Sequence, residues 1–199
     1  RICEQNIPVL FINSFYPQLS LPHVTLNDRL AAELAVKYLA DAGHRKIGAL
    51  MKFDDGQGHL RYAGYLDTCR RLGIPAGDER MVWLDTEGEA HLHDYRDRIL
   101  RNFKDCTAVL CYNDKLAIRL EALLKEEGIG VPEDLSLISI DDSELARLAD
   151  TKLTSVRHPT DRLGEKAAEN LLSMIGNKNF DGNYEFVTEI VERDSVKKL

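Results

Sequence analysis

The sequence predicts an α/β fold organised around a mostly parallel sheet. Short, evenly apolar runs alternate along the chain with long amphipathic helical patterns. The runs are too short and too uniformly apolar for surface helices, so they read as buried strands. Strand, helix, strand, helix in that rhythm is the signature of βαβ units. Polar residues also recur directly after the runs, where ligands sit in such folds.

The predicted strands are Pro8-Val9-Leu10-Phe11-Ile12, Lys46-Ile47-Gly48-Ala49-Leu50-Met51, Met81-Val82-Trp83-Leu84, Ala108-Val109-Leu110-Cys111-Tyr112 and Leu135-Ser136-Leu137-Ile138-Ser139-Ile140. The first helical stripe is Leu26, Leu30, Leu34 and Tyr38 with Ala31, Ala35 and Leu39, started by Asn27 or Asp28 and stopped at Gly43. Tyr62, Leu66, Cys69 and Leu72 form the second, ending at Gly73. Leu116, Leu120, Leu123 and Leu124 form the third, capped by Asn113-Asp114 and stopped at Gly128. The fourth runs Leu163, Ala167, Leu171, Met174 and Ile175 to Gly176.

The chain has 199 residues, 44% of them hydrophobic and 30% charged, enough to bury a core in one large domain or two small lobes. Lys plus Arg number 26 against 33 Asp plus Glu, a net charge of -7 that repels a phosphate backbone. This segment is therefore not expected to hold DNA itself. No apolar run reaches membrane-spanning length and no signal peptide opens the chain. The start at Arg1 reads as the end of a helix, so an upstream part is expected to be missing. Cys3, Cys69, Cys106 and Cys111 show neither C-x-x-C spacing nor a zinc-like His partner, and fit buried hydrophobes in a reducing cytoplasm. His91 and His93 fit a solvated face rather than a metal site.

After the successive strands come Asn13; Asp54, Asp55 and Gln57; Thr86 and Glu87; Asn113 and Asp114; Asp141 and Asp142; and His158 follows Leu153-Thr154-Ser155-Val156. Arg61 lies one turn into a helix. Neutral amides, carboxylates, an imidazole and a guanidinium suit a polyhydroxylated ligand, since carboxylates accept from neighbouring hydroxyls and Arg donates in a fixed fork. Tyr112, Phe15 or Tyr16 could cover an apolar sugar face. Helix capping competes with function at each Asp or Asn, and Asp114 and Asp28 read as caps alone. No G-x-S-x-G elbow or P-loop is present, and Gly56-Gln57-Gly58 lacks dinucleotide-cradle spacing. No cofactor, metal or catalytic residue is expected, although Asp54-Asp55 with Asp141-Asp142 leaves a carboxylate metal site or a carbohydrate enzyme as alternatives.

Val24-Thr25-Leu26-Asn27-Asp28, Leu39-Ala40-Asp41-Ala42-Gly43-His44-Arg45-Lys46-Ile47, Arg61-Tyr62-Ala63-Gly64-Tyr65, Ala108 to Asp114, Ser139 to Ser143, and Leu153 to Pro159 with Leu163-Gly164 occur in the order seen in one family. Together they resemble the effector-binding domain of the lactose/galactose repressor family (LacI/GalR) across essentially the whole chain. Lys52 to Gly58, Leu110 to Asp114 and Lys152 to Pro159 resemble its arabinose repressors, which carry a GntR-class winged-helix DNA-binding domain.

The resemblance implies a periplasmic-binding-protein-like type I fold of two Rossmann-like lobes, the N-terminal lobe being incomplete here. Residues 1–24 and 159–187 are expected to be its remnant, and residues 25–158 and 188–199 the C-terminal lobe. It implies a sugar gripped by Arg61, Asn113 and Asp141, with His158 entering from the crossover and Asn13 a further polar contact, to which the residue pattern adds Asp55, Gln57 and Tyr112 as candidates. It further implies a cytoplasmic homodimeric repressor that contacts DNA only through a separate N-terminal domain. An extracytoplasmic sugar-binding protein of the same fold is the alternative. The dimer is expected to use exposed apolar positions within Leu60–Leu72 and Leu116–Leu124. Arg61→Ala and Asp141→Ala are expected to abolish L-arabinose binding without unfolding the lobe. Asp28→Ala is expected to cost only a helix cap, about 1 kcal/mol.

Overall fold

The computed structural model describes residues 7–199 and divides the chain into two compact units. Cys3 and the helix end read at Arg1 lie outside the described residues. The first unit takes the residues up to Asn27 together with Pro159–Thr188, and the second takes Asp28–His158 and Glu189–Leu199.

In the first unit, β1 (Phe11–Ile12) and β2 (His23–Leu26) pair in parallel. β2, at Val24–Leu26, pairs in parallel with β8 (Tyr184–Phe186). That pairing carries residues 25–27 into this unit instead of the second. Val24 and Phe186 pack with Leu163 and Ala167 from α7 (Thr160–Gly176), with Leu10 half-buried against them. Asn170 Nδ2 donates to the Gly182 carbonyl at 2.9 Å, tying the helix to the loop before β8. Ile175, read from sequence as part of the buried stripe, is 63% exposed.

The second unit opens with α1 (Asp28–Asp41), β3 (Ile47–Lys52) and α2 (Gly56–Arg71). β4 (Met81–Leu84), α3 (Thr86–Ala90) and α4 (Arg96–Phe103) follow, then β5 (Ala108–Cys111) and α5 (Asp114–Glu126). β6 (Ser136–Asp141), α6 (Glu144–Leu148), β7 (Thr154–Arg157) and β9 (Ile190–Val191) complete it. The sheet order is β4-β3-β5-β6-β7-β9, parallel except for β9, which runs antiparallel to β7. From β3 the chain steps to β4 on one side and returns to β5 on the other. The carboxyl ends of β3 and β5 therefore flank a topological switch point, where helices leave in opposite directions and open a crevice.

α1 buries Ala31, Ala32, Ala35, Val36 and Leu39, a small-residue face that lets α2 come close. Gly64 sits at that approach: a Cβ there would stand 2.2 Å from the Arg29 carbonyl oxygen. On α2 the buried face is Arg61, Tyr65, Thr68 and Cys69, one position out of step with the predicted stripe, and Leu72 is exposed. The last segment is stitched across the sheet. Ser195 Oγ donates to the Leu137 carbonyl at 2.6 Å and accepts from the Thr154 amide at 2.9 Å. The Leu199 amide reaches the Ala42 carbonyl at 2.8 Å. Beside it His44 is fully buried between the Thr107 hydroxyl, 2.9 Å away, and the Lys197 carbonyl, 3.1 Å away.

Candidate functional site

At the switch point β3 ends on Lys52 and β5 runs into Tyr112 and Asn113. Asp55 caps α2, accepting from the Gly58 amide at 2.7 Å, and its other oxygen accepts from the Tyr112 hydroxyl at 2.8 Å. The close turn needs glycine at 58, where a Cβ would lie 1.9 Å from the Lys52 carbonyl oxygen. One turn further, Arg61 is buried. Its Nε donates to Asp28 Oδ1 at 2.7 Å and Nη1 to the Tyr112 carbonyl at 2.5 Å. The guanidinium carbon stands 4.6 Å from the centre of the Tyr112 ring, a cation–π stack. Nη2 faces Asp141 Oδ1 at 3.7 Å, an ion pair without a hydrogen bond.

Asp141 ends β6 with φ 128, a backbone state that side chains rarely adopt. Its side chain is 36% exposed. Burial of its carboxylate, reinforced by Asp114, Asp28 and Glu89 and opposed by Arg61, pushes its pKa up to about 7. The His158 amide donates to the Asp141 carbonyl at 3.0 Å, which brings the imidazole to the same end of the sheet. Burial, and then the Arg61 charge, push the pKa of His158 down to about 4, so the ring is neutral at pH 7. Gln57, in the first turn of α2, hydrogen-bonds the Asp28 carboxylate. Asn113 caps α5 through Oδ1, which accepts from the Leu116 amide at 2.9 Å; the cap does not occupy its Nδ2 amide.

The structure thus gathers Asp55, Gln57, Arg61, Tyr112, Asn113, Asp141 and His158 around the carboxyl ends of one sheet. Asn13 belongs to the other unit, exposed after β1 at φ 67, its amide donating to the Val24 carbonyl at 2.9 Å.

Two capping assignments are corrected. Asp114 is buried and does not cap α5. It accepts from the hydroxyls of Ser139, Ser155 and Ser143 at 2.5, 2.7 and 2.8 Å and from the Ser143 amide at 2.7 Å. It is the knot joining α5 to β6, β7 and the start of α6. Asp28 is the buried counter-ion of Arg61, so losing it strands a cation and costs far more than a cap.

Lys52 and Glu89 were not singled out from the sequence. The Lys52 ammonium is nearly buried, donating to Thr86 Oγ1 at 2.9 Å and lying 3.6 Å from Glu89 and 3.7 Å from both Asp54 and Asp55. The Tyr112 ring lies 5.4 Å away. The only sequence signal was a lysine interrupting an apolar run. Asp54 accepts from the Thr86 amide at 2.8 Å, and Asp142 pairs with Arg157 and Arg193. Those two carboxylates accept from protein donors.

A family model described as a periplasmic binding protein-like domain matches residues 36–196. The chain belongs to that family. An arabinose metabolism transcriptional repressor of Geobacillus stearothermophilus is 33% identical over 199 residues, spanning 98% of this chain and 55% of the relative. The HTH-type transcriptional regulator GalR of Salmonella typhimurium strain LT2 is 33% identical over 192 residues, spanning 94% and 55%. The chain thus spans about half the length of the curated relatives it matches. Among solved structures, a LacI-family sugar-binding transcriptional regulator from Escherichia coli complexed with phosphate superposes with a TM-score of 0.84 at 25% identity. That match covers 96% of this chain and 69% of the other. A LacI-family regulator from a Rhodococcus species gives 0.87 at 25% identity, covering 99% and 72%. The fold is that of LacI-family effector-binding domains, and these relatives are regulators of transcription, not enzymes.

In this periplasmic binding protein-like domain the state of Asp141 gives a pH signature. Its pKa rises from 3.8 to about 7 on folding, so between those values the folded state holds a proton the unfolded chain has lost. The Asp141 contribution to stability is complete below pH 3.8 and disappears as pH rises to about 7. The pH 8 minus pH 5 change in urea midpoint is expected to be more negative in the parent than in Asp141→Asn, because His158 titrates in the opposite sense in both proteins. Equal differences in the two proteins would refute this assignment.

Proposed function

We propose that this domain binds a neutral sugar, L-arabinose, as the effector-binding domain of a bacterial transcriptional repressor whose operator affinity falls on binding. One observation carries the reading: Arg61, Tyr112, Asn113 and Asp141 converge at the switch point of the sheet, bringing donors, acceptors and an aromatic ring together. A sugar is recognised by such alternation, with carboxylates accepting from hydroxyl pairs and an aromatic ring covering C–H surface. His158, uncharged at neutral pH, suits an uncharged ligand. The choice of arabinose follows the repressors of Geobacillus stearothermophilus and Halalkalibacterium halodurans, 33% and 34% identical. Asn13 is proposed as a polar sugar contact from its place after β1 alone. Residues of the first unit are read as part of an N-terminal lobe and those of the second as the C-terminal lobe.

Repression requires that the sugar favour one conformational state over another, since equal affinity for both would shift nothing. Operator contact is assigned to a separate N-terminal domain, and the cytoplasm is the compartment this role requires. Calorimetric titration of the full-length protein with L-arabinose tests the reading. Asp141→Ala is expected to weaken binding about a hundredfold or more, because a charged partner of the ligand hydroxyls is lost. Parent-like binding by that variant would remove Asp141 from the site. A parent that ignores arabinose and takes another sugar would correct the ligand alone.

The repressor is further proposed to act as a homodimer. Within the two spans expected to carry the dimer face, Leu116, Leu120, Leu123 and Leu124 are core residues, whereas Ile118 and Ala122 of α5 and Leu60 and Leu72 keep apolar exposure. The largest exposed side chain nearby is on α6, where Leu148 is 78% and Leu145 47% exposed beside Ile118 and Ala122 of α5 in a shallow groove. Burying such side chains between copies stabilises by about 1.5–3 kcal/mol each. Light scattering of the full-length protein is expected to show a dimer that Leu148→Asp converts to monomer. A dimer indifferent to Leu148→Asp would exclude this face.

A further inference from the structure

We propose that Asp28 is a positioning residue of the effector site, binding Arg61 through Nε and so holding the guanidinium off Asp141, which keeps the two groups from closing on each other. This rests on the sugar-site reading of the same residues.

Three contacts fix the guanidinium plane: Nε to Asp28 at 2.7 Å, Nη1 to the Tyr112 carbonyl, and the stack on the Tyr112 ring at 4.6 Å. Asp28 is itself braced by the Gln57 side chain. With the fork so held, Nη2 stops 3.7 Å from Asp141. A guanidinium and a carboxylate this close ordinarily collapse into a two-pronged pair at about 2.7–2.9 Å. They do not collapse here because the Arg61 charge is already matched and its Nε edge is turned to α1. Without Asp28 the fork can rotate onto Asp141, and each group then satisfies the other instead of a sugar hydroxyl.

The charged and titratable groups around this pair come from every neighbouring element: Asp28 from α1, Lys52 from β3, Asp55 at the cap of α2, Glu89 from α3, Tyr112 after β5, Asp114 from α5 and His158 after β7. Glu89 matters as a comparison. Like Asp28 it is a carboxylate that opposes ionisation of Asp141, but its partners are Lys52 and Lys115, not Arg61.

The test follows the Asp141 carboxyl through a pH titration by carbon-detected NMR in the full-length protein, without sugar. Asp28→Asn is expected to lower the Asp141 midpoint by about one pH unit or more, as befits a new opposite charge in contact. Glu89→Gln is expected to lower it less, and Asp28→Glu, which retains the charge on Arg61, to restore the parental midpoint. Equal drops in Asp28→Asn and Glu89→Gln would overturn the proposal, leaving Asp28 only a neighbouring charge. Should Asp28→Asn not fold, the parent still decides. The Arg61 Nε–H resonance is expected to stay slowly exchanging and unshifted while Asp141 titrates, and movement in step with Asp141 would overturn the proposal. In the folded variant, arabinose affinity at pH 8 is expected to fall about tenfold, the value of one hydrogen bond to a charged group. Unchanged affinity would likewise overturn it. A parent that binds no arabinose yet shows these titrations would refute the sugar assignment and not the charge arrangement.

Discussion

Arg61→Ala is expected to destabilise the second unit by about 3–5 kcal/mol, the usual result of removing one partner from a buried ion pair. The sequence suggested that this substitution would silence the site and spare the fold. The structure changes that expectation, because Arg61 and Asp28 are 2% and 3% exposed and bound to each other. Truncation leaves a carboxylate in the interior without its counter-charge and takes a donor from the Tyr112 carbonyl. It also opens a void between α1 and α2, where Gly64 allows the helices to approach. Urea denaturation is the measurement. A midpoint close to that of the parent would mean that water enters and replaces the guanidinium, and the pair would then not support the fold. The same substitution cannot serve as a clean test of sugar contact. Asp141, one-third exposed, is the better choice.

Asp114→Ala is expected to cost a similar amount, about 3–5 kcal/mol, by a different route. Its carboxylate gathers donors from Ser139, Ser143 and Ser155. Removing it leaves buried hydroxyls and the Ser143 amide without an acceptor, each costing about 1–3 kcal/mol unless it finds another partner. Asp114→Asn is expected to be milder than Ala because one accepting oxygen remains, and worse than the parent because its amide N–H then faces donors. Melting temperatures ranked parent, Asn, Ala are the expected result. An Ala variant as stable as the parent would show that the serines re-pair with the backbone.

The sheet was legible where strands are buried on both faces and sequence hydrophobicity is continuous, as in β3, β5 and β6. It was not legible in β8 and β9, two- and three-residue strands whose pairing partners lie far away in sequence: Tyr184–Phe186 with Val24–Leu26, and Ile190–Val191 with Ser155–Val156. No local pattern announces such strands, because tertiary pairing selects them. α4 was missed for a related reason: only Ile99 and Phe103 of its eight residues are buried. At the site, position after a strand pointed to Asp55, Asn113 and Asp141, since topology places those side chains together. The partition between capping and ion pairing was not readable. An Asp at the start of a helix looks alike whether it bonds an amide above it, as Asp55 does, or reaches a guanidinium, as Asp28 does. The charge environment of Lys52 was equally hidden, because it draws on residues from three separate loops.

The stitching of Glu189–Leu199 into the second unit has a consequence for synthesis on the ribosome. β9 closes the edge of the sheet beside β7, and Ser195 completes hydrogen bonds of Leu137 and Thr154. Residues 159–188, which belong to the other unit, must therefore emerge before the edge strand that seals this one. During translation the β7 edge waits as an unpaired template through the addition of about thirty residues, at roughly 5–20 residues per second a delay of seconds. An exposed strand edge is a site for wrong pairing. The nascent chain is thus expected to be most vulnerable to chaperone capture or aggregation in the interval between the emergence of Arg157 and that of Val191.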